Sequence, residues 1–306
     1  MHQAGHPGWI DYGLLGLLAV IWGGSFMLSR VAVAEVPPMT LTAMRQAIAM
    51  VVLAAVVLKT REALNASNRD HIVIFVSAFF GMALPFTLIT WGLGEITAGF
   101  AAILMGLMPL MTIVLAHFFT DNEAMNAAKL IGVFVGLLGL VVLFWPDIVA
   151  RTDRDIWRQL AILVSGVSYA VNALITKRLL HLKPRPMFAV NIAWSFAMVG
   201  AAALVFEPLI SDNPSSIAWL SIVLLGLLPS AVASLIMFRI IARQGASFFG
   251  QINLLVPVAG VLWGAIVLNE RLSFNAWIAL AIILSGVAVA RMQPKPKLKS
   301  VEDQTS

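Results

Sequence analysis

From Ile10 to Met292 the chain consists almost entirely of apolar runs, each about twenty residues long and separated by short polar breaks. At roughly 1.5 Å per residue, such a run crosses the roughly 30 Å hydrocarbon layer of a bilayer once as a helix. The lipid interior tolerates no open-edged alternative, because every backbone polar group must be satisfied within the protein. The chain is therefore an all-α integral membrane protein. Hydrophobic residues make up 60% of it and charged residues 11%, whereas roughly a quarter of a soluble domain is charged. No soluble domain fits between the runs.

Ten membrane helices are predicted, over residues 10–28, 39–58, 71–93, 97–119, 127–145, 157–176, 186–206, 216–238, 246–268 and 274–292. The longest connections, 145–155 and 206–216, hold clusters of Pro, Asp and Asn that favour turns. The Lys- and Pro-rich stretch 293–306 is expected to be a disordered cytoplasmic tail. Ala32-Val33-Ala34 has the small-residue pattern of a signal-peptidase site. Residues 1–9 contain no Lys or Arg, however, and the apolar run is long for a signal peptide, so the first run is read as a membrane helix. The chain has no cysteine, which excludes disulfides and thiolate metal sites.

Orientation follows from the basic residues. With the N-terminus in the cytoplasm, the inner side holds fourteen: Lys59, Arg61, Arg69, Lys129, Lys177, Arg178, Lys183, Arg185, Arg239, Arg243, Arg291, Lys295, Lys297 and Lys299. The outer side holds five, Arg30, Arg151, Arg154, Arg158 and Arg271, and Arg45 is the twentieth. Both termini are therefore expected to be cytoplasmic. The net charge of +5 reflects this bias and gives no reason to invoke nucleic acid.

The two halves of the chain repeat at an offset near 147. Trp22, Ser25 and Arg30 fall on Tyr169, Asn172 and Lys177. Ala98 and Phe100 fall on Ala246 and Phe248, Pro109 on Pro257, Glu123 on Glu270, and Gly139 on Gly286. Five helices per repeat is an odd number, so the second copy must enter the membrane inverted. Inverted repeats are an architecture of secondary transporters. The expected units are residues 1–150 and 151–292.

These residues carry a family resemblance. Trp22-Gly23-Gly24-Ser25-Phe26 at the end of the first helix resembles the EamA-type carriers of the drug/metabolite transporter superfamily. So do the Ala98, Pro109 and Glu123 pattern and its copy, Ala246, Pro257 and Asn269-Glu270-Arg271. Essentially the whole chain is similar to that family, and most of all to YddG-like exporters of aromatic and other hydrophobic amino acids. The resemblance implies a bacterial inner-membrane carrier with a central cavity, working by alternating access on a small-molecule substrate. It implies no cofactor and no enzymatic step.

Pro85, Pro109, Pro229 and Pro257 fall inside two symmetry-related helix pairs. Each removes a backbone donor and frees a carbonyl, and together they are read as hinges beside a cavity. Polar and aromatic side chains within the spans need partners away from lipid. The candidate cavity set is Trp22, Ser25, Arg45, Thr87, Trp91, Met105, Tyr169, Asn172, Trp194, Ser234, Gln251 and Asn253. The amides of Asn172, Gln251 and Asn253 are expected to face the protein interior. Trp9, Trp145, Trp157, Trp219 and Trp277 lie at span ends, as an aromatic belt requires. Gly132 and Gly136 form GxxxG, a site for helix packing or for a homodimer contact.

Arg45 lies roughly 5 Å outward of the centre of its span at 1.5 Å per residue. It either snorkels to the outer headgroups or faces the cavity in a gating, structural or substrate-binding role. No Asp or Glu lies deep in any span, so proton coupling would fall to Glu95 near an outer helix end or His117 near an inner one. The missing deep carboxylates also argue against an aspartyl intramembrane enzyme, and HExxH is absent. A channel would favour charged rings or a carbonyl filter. The expected function is export of aromatic and hydrophobic amino acids, or alternatively of drugs and other amphiphilic metabolites.

Overall fold

A computed structural model describes residues 7–120, 125–150, 156–208, 210 and 213–292. Glu123, Arg151, Arg154 and the tail 293–306 lie outside the described residues. All regular structure among the described residues is helical. Eight helices are long and apolar enough to cross a membrane. They are α1 (Trp9–Val33), α2 (Pro38–Thr60), α3 (Asn68–Gly92), α4 (Ala98–Phe119), α5 (Ala127–Ala150), α6 (Ile156–Leu179), α7 (Pro184–Phe206) and α8 (Ser216–Phe249). Two shorter apolar helices follow, α9 (Ile252–Val267) and α10 (Phe274–Ala290). The chain is a multi-pass integral membrane protein.

Local chemistry sets the helix starts. Proline occupies the first turn of α2 and α7, where its missing N–H costs nothing. The side chains of Ser67, Thr97, Ser215 and Ser273 cap α3, α4, α8 and α10. The predicted break between the eighth and ninth runs falls later than expected. Helix α8 continues to Gln244 and turns only at Gly245, whose φ of 81° favours a residue without a side chain.

The four interior prolines differ in effect. A π-helical stretch, Phe79–Ala83, precedes Pro85 in α3, and another, Gly226–Val232, contains Pro229 in α8. In both, a lost donor is accommodated by widening the helix. In α4 the helix breaks between Met105 and Met108, just before Pro109. Pro257 lies inside the continuous helix α9, and the irregularity there is the preceding Gly250–Gln251 step.

Three helices of the first half pack on the helix five places along the chain, and the contacts of α1 mirror those of α6. Helix α1 packs on α8 and α9, while α6 packs on α3 and α4; α2 packs on α7, α4 on α9 and α5 on α10. Glycines permit the closest of these approaches. A methyl group at Gly132 would lie 2.5 Å from the Gly286 carbonyl, so the GxxxG face of α5 is filled by α10 of the same chain. It is thus not open to a second copy. Gly23 likewise lets α1 meet the backbone of α9 at Gly260.

Candidate functional site

Along α2 three layers follow in order. Arg45 comes first, then Ala49 and Leu53 in an apolar cluster with Met82, Ile192 and Ala231, and then Val56 and Thr60 on the wall of an open cavity. The cluster separates the cavity from the arginine.

Arg45 is 5% exposed. Its Nε and Nη2 donate to Ser230 Oγ at 3.3 and 3.1 Å, and its guanidinium lies 4.2 Å from the centre of the Phe86 ring. Ser230 donates in turn to the Leu225 carbonyl at 2.9 Å, an acceptor freed by the π-helical stretch around Pro229. The Phe86 ring meets Tyr169 edge to face at 6.3 Å. No carboxylate among the described residues pairs with Arg45. Snorkelling is ruled out by this burial and by the interior partners.

Trp22 joins the same place, its Nε1 donating to the Pro229 carbonyl at 3.2 Å. Five helices thus bring Trp22, Arg45, Phe86, Tyr169 and Ser230 together at one irregular stretch of α8. Phe86 and Ser230 were not among the candidates, although each lies beside one of the interior prolines that were. Gln46 was also missed. It is 0% exposed, and both amide atoms are buried without a partner, as is Ser195 Oγ. Ala43 clusters with Val199, and Ala49 with Ile192, so Gln46 and Ser195 share one level of the α2–α7 interface.

The other candidates are dispersed. Asn172 accepts from Ser77 Oγ at 2.7 Å, and Asn191 Nδ2 donates to the same hydroxyl at 2.9 Å, which joins α3, α6 and α7. This is interhelical bonding of the kind expected for a membrane amide. Ser25 and Ser234 donate to carbonyls of their own helices, at Trp22 and Ala231. Met105 Sδ accepts from Ser165 Oγ at 3.2 Å between α4 and α6. Thr87 is half-buried one residue from Phe86, and Asn253 is half-buried on α9.

Trp91 carries the Arg158 guanidinium 4.9 Å above its ring, at one end of the bundle. Trp194 is 42% exposed and meets Phe75 edge-on at 5.2 Å, beside a shallow recess of about 270 Å³ that also touches His71 and Ile72. Gln251 is exposed, contrary to the expected interior placement, because it caps the start of α9 where the chain bends. Glu95 and His117 are both exposed at opposite ends of α4, about 30 Å apart at 1.5 Å per residue. The structure does not bring them together.

The open cavity holds about 900 Å³. Its walls are apolar: Leu14 of α1, Val56 of α2, and Val232, Leu235, Ile236 and Phe238 of α8. Its mouth is charged, with Glu62, Lys183, Arg185, Arg239 and Arg243. Arg185 pairs with Glu62 at 2.5 Å. Arg243 and Gln244 both bond the Asp11 carboxylate, which is 2% exposed. Sequence reasoning used these residues only to count charge, since nothing in a linear run tells a loop cation from one that rims a cavity.

The opposite end is closed by carboxylates set on helix starts. Glu207 accepts from the backbone N–H groups of Met39 and Thr40, both at 2.7 Å, and from the Thr40 hydroxyl. Glu270 accepts from the N–H groups of Ala98 and Gly99 at 2.7 and 2.9 Å. Glu35 accepts from the N–H and hydroxyl of Ser215 at 2.6 and 2.7 Å, and the backbone bond above all holds its carboxyl below the usual value. Arg30 donates to the carbonyls of Leu93 and Gly94 at the end of α3. Anions at helix starts and cations at helix ends match the helix dipole and fill the unmade backbone bonds.

With this geometry in hand, comparison with other proteins is informative. Residues 11–145 and again 156–292 match the EamA-like transporter family. The chain is 25% identical to an uncharacterized transporter, YoaV, of Bacillus subtilis, over 90% of this chain and 94% of that one. It is 29% identical to a second, YdeK, over 93% and 96%. A probable amino-acid metabolite efflux pump of Escherichia coli is 24% identical over 90% and 93%. A crystal structure at 23% identity superposes with a TM-score of 0.66, over 90% of this chain and 96% of that one, which shows a shared fold. The chain belongs to the EamA-like transporter family, and it is a membrane transporter.

Proposed function

We propose that this transporter exports small amphiphilic metabolites, foremost aromatic and other hydrophobic amino acids, from the bacterial cytoplasm by alternating access. The observation that carries the reading is the contrast between the two ends of the bundle. One end opens into an apolar cavity of about 900 Å³ rimmed by basic residues, and the other is held shut by three glutamates on helix starts. Basic residues favour the cytoplasmic side, so the open end is the inner one and the N-terminus is cytoplasmic. The symmetry of the packing, in which α1 on α8 and α9 mirrors α6 on α3 and α4, supports ten crossings in two inverted five-helix repeats, with the roles of the halves exchanging as the protein opens outward. The bacterial relatives support the inner membrane, and the efflux pump among them supports amino-acid export.

An apolar cavity with a buried cation beyond its floor suits a substrate with one hydrophobic and one anionic part. Export of drugs or other amphiphilic metabolites is the second reading, favoured by the apolar walls alone. Liposomes carrying the purified protein decide between them. The measurement is uptake of labelled Phe, Trp, Met, Thr and a cationic drug, with and without a pH gradient. Saturable flux of Phe, Trp and Met is the expected result. Drug flux without amino-acid flux overturns the amino-acid reading, and gradient-driven amino-acid flux directs attention to Glu95 and His117.

A further inference from the structure

We infer that Arg45 and Tyr169 form the anchor for the substrate's carboxylate, with Ser230 occupying the anchor when no substrate is bound. The inference rests on the amino-acid reading above and assigns the recognition step to particular atoms. Arg45 carries an excess of donors. A guanidinium presents five N–H groups and accepts nothing. Two of the three nitrogens of Arg45 converge on one neutral hydroxyl, and Nη1 has no partner among the described residues. Tyr169 Oη has none either, and its ring meets the same Phe86 ring that the guanidinium covers. A place with spare donors and no carboxylate of its own is built for an acceptor, and the planar arginine fork fits the two oxygens of a carboxylate.

Ser230 is a fitting stand-in. It already donates to the Leu225 carbonyl, so it stays bonded when the guanidinium turns to another acceptor. Replacing one shared neutral hydroxyl by a carboxylate gives the charged donors an acceptor of opposite charge and lets them bond it bidentately. The surrounding rings of Phe86, Tyr169 and Trp22 offer apolar surface to the rest of the molecule. The anchor lies beyond the apolar cluster that floors the cavity, so a substrate reaches it only when Leu53, Met82 and Ala231 move apart. The Pro229–Ser230 stretch, already widened into a π-helix around a proline, is the element that can yield.

The test compares three probes as competitors of labelled Phe flux in liposomes: Phe, its amide, which lacks the carboxylate, and 3-phenylpropionate, which lacks the amine. In the wild type, Phe and phenylpropionate compete and the amide is weaker by about tenfold or more. Arg45→Gln should raise the KM for Phe by about tenfold and abolish the preference of Phe over its amide. Arg45→Lys keeps the charge and serves where the glutamine variant does not fold; it should retain a reduced preference, because the fork is lost. Tyr169→Phe should reduce the preference by a smaller factor. A folded Arg45→Gln or Arg45→Lys protein that keeps the full wild-type preference overturns the inference while leaving amino-acid transport standing. A wild type that moves no amino acid overturns both.

Discussion

The two ends of the bundle use the same charged side chains and reach opposite outcomes. At the closed end, Glu35, Glu207 and Glu270 bond backbone N–H groups at helix starts. At the open end, Glu62 meets Arg185 side chain to side chain, while Asp11 and Asp70 accept from the N–H groups of Gly8 and Ser67 at the starts of their own helices and also meet Arg243 and His181. A carboxylate that reaches a helix start from a distant segment ties two parts of the bundle together, and the backbone donors lose no rotamer freedom on binding. A pair of long exposed side chains spends entropy to form and is screened by salt, so it fixes little. Closure therefore depends on what a carboxylate bonds as well as on how many there are.

Removing the closing contacts is the sharpest way to break this comparison and should have the largest effect. Glu207→Gln with Glu270→Gln replaces four charge-assisted backbone bonds by weaker ones. Each hydrogen bond to a charged group is worth about 1.5–3 kcal/mol. Even partial loss should shift the population toward the outward-open form by about tenfold or more. The chain has no cysteine, so one introduced at Thr90, buried near the closed end, reports this as labelling by an impermeant maleimide from outside. Glu62→Gln, which breaks the exposed pair at the other end, should leave that labelling nearly unchanged. Equal labelling in both variants would show that the glutamates do not hold the closed end.

Much of this arrangement was legible in the sequence because membrane burial leaves a coarse signal. Apolar run length placed every helix to within a few residues, apart from the junction at Gly245. There the short stretch Arg239 to Gln244, with two arginines and a glutamine, reads as a connection, yet it continues α8 as the basic rim of the cavity. Arg45, Trp22 and Tyr169 stood out as costly residues in lipid, and the structure gathers them. What could not be read was partnership across helices. Phe86 looks like any lipid-facing phenylalanine until Arg45 lies over it. Glu35, Glu207 and Glu270 look like loop charges until a helix start from elsewhere in the chain meets them. The GxxxG of α5 announced a close contact without saying that α10 fills it.

A smaller effect comes from pH at the closed end. The Glu35 carboxyl is held below its ordinary value of 4.5 by the Ser215 contacts. A depressed folded-state value means that its contribution is complete above the ordinary value and is lost as pH falls through the depressed one. Maleimide labelling at the introduced Thr90 cysteine, taken at each pH as a ratio to that of the same cysteine in denatured protein because only the thiolate reacts, should accordingly be flat from neutrality down to about pH 5 and rise only below the ordinary carboxylate value. Glu35→Gln should remove most of that rise. A rise centred near pH 6.5 would instead implicate a histidine, and Glu35 would have no part in closure.

The smallest effect belongs to the rim of the open end, and it tests the other half of the comparison. Lys183 and Arg239 line the cavity mouth without a hydrogen bond or ion pair to any described residue, so their charge is free to act on an approaching substrate. They are exposed, and water and salt weaken such fields over about 8 Å at physiological ionic strength. Lys183→Gln with Arg239→Gln should therefore raise the KM of a carboxylate substrate by about two- to threefold and leave kcat unchanged. The change should fade as salt is raised. A loss of kcat that ignores salt would mean that the rim acts in the conformational change itself, and the open end would then be as structurally committed as the closed one.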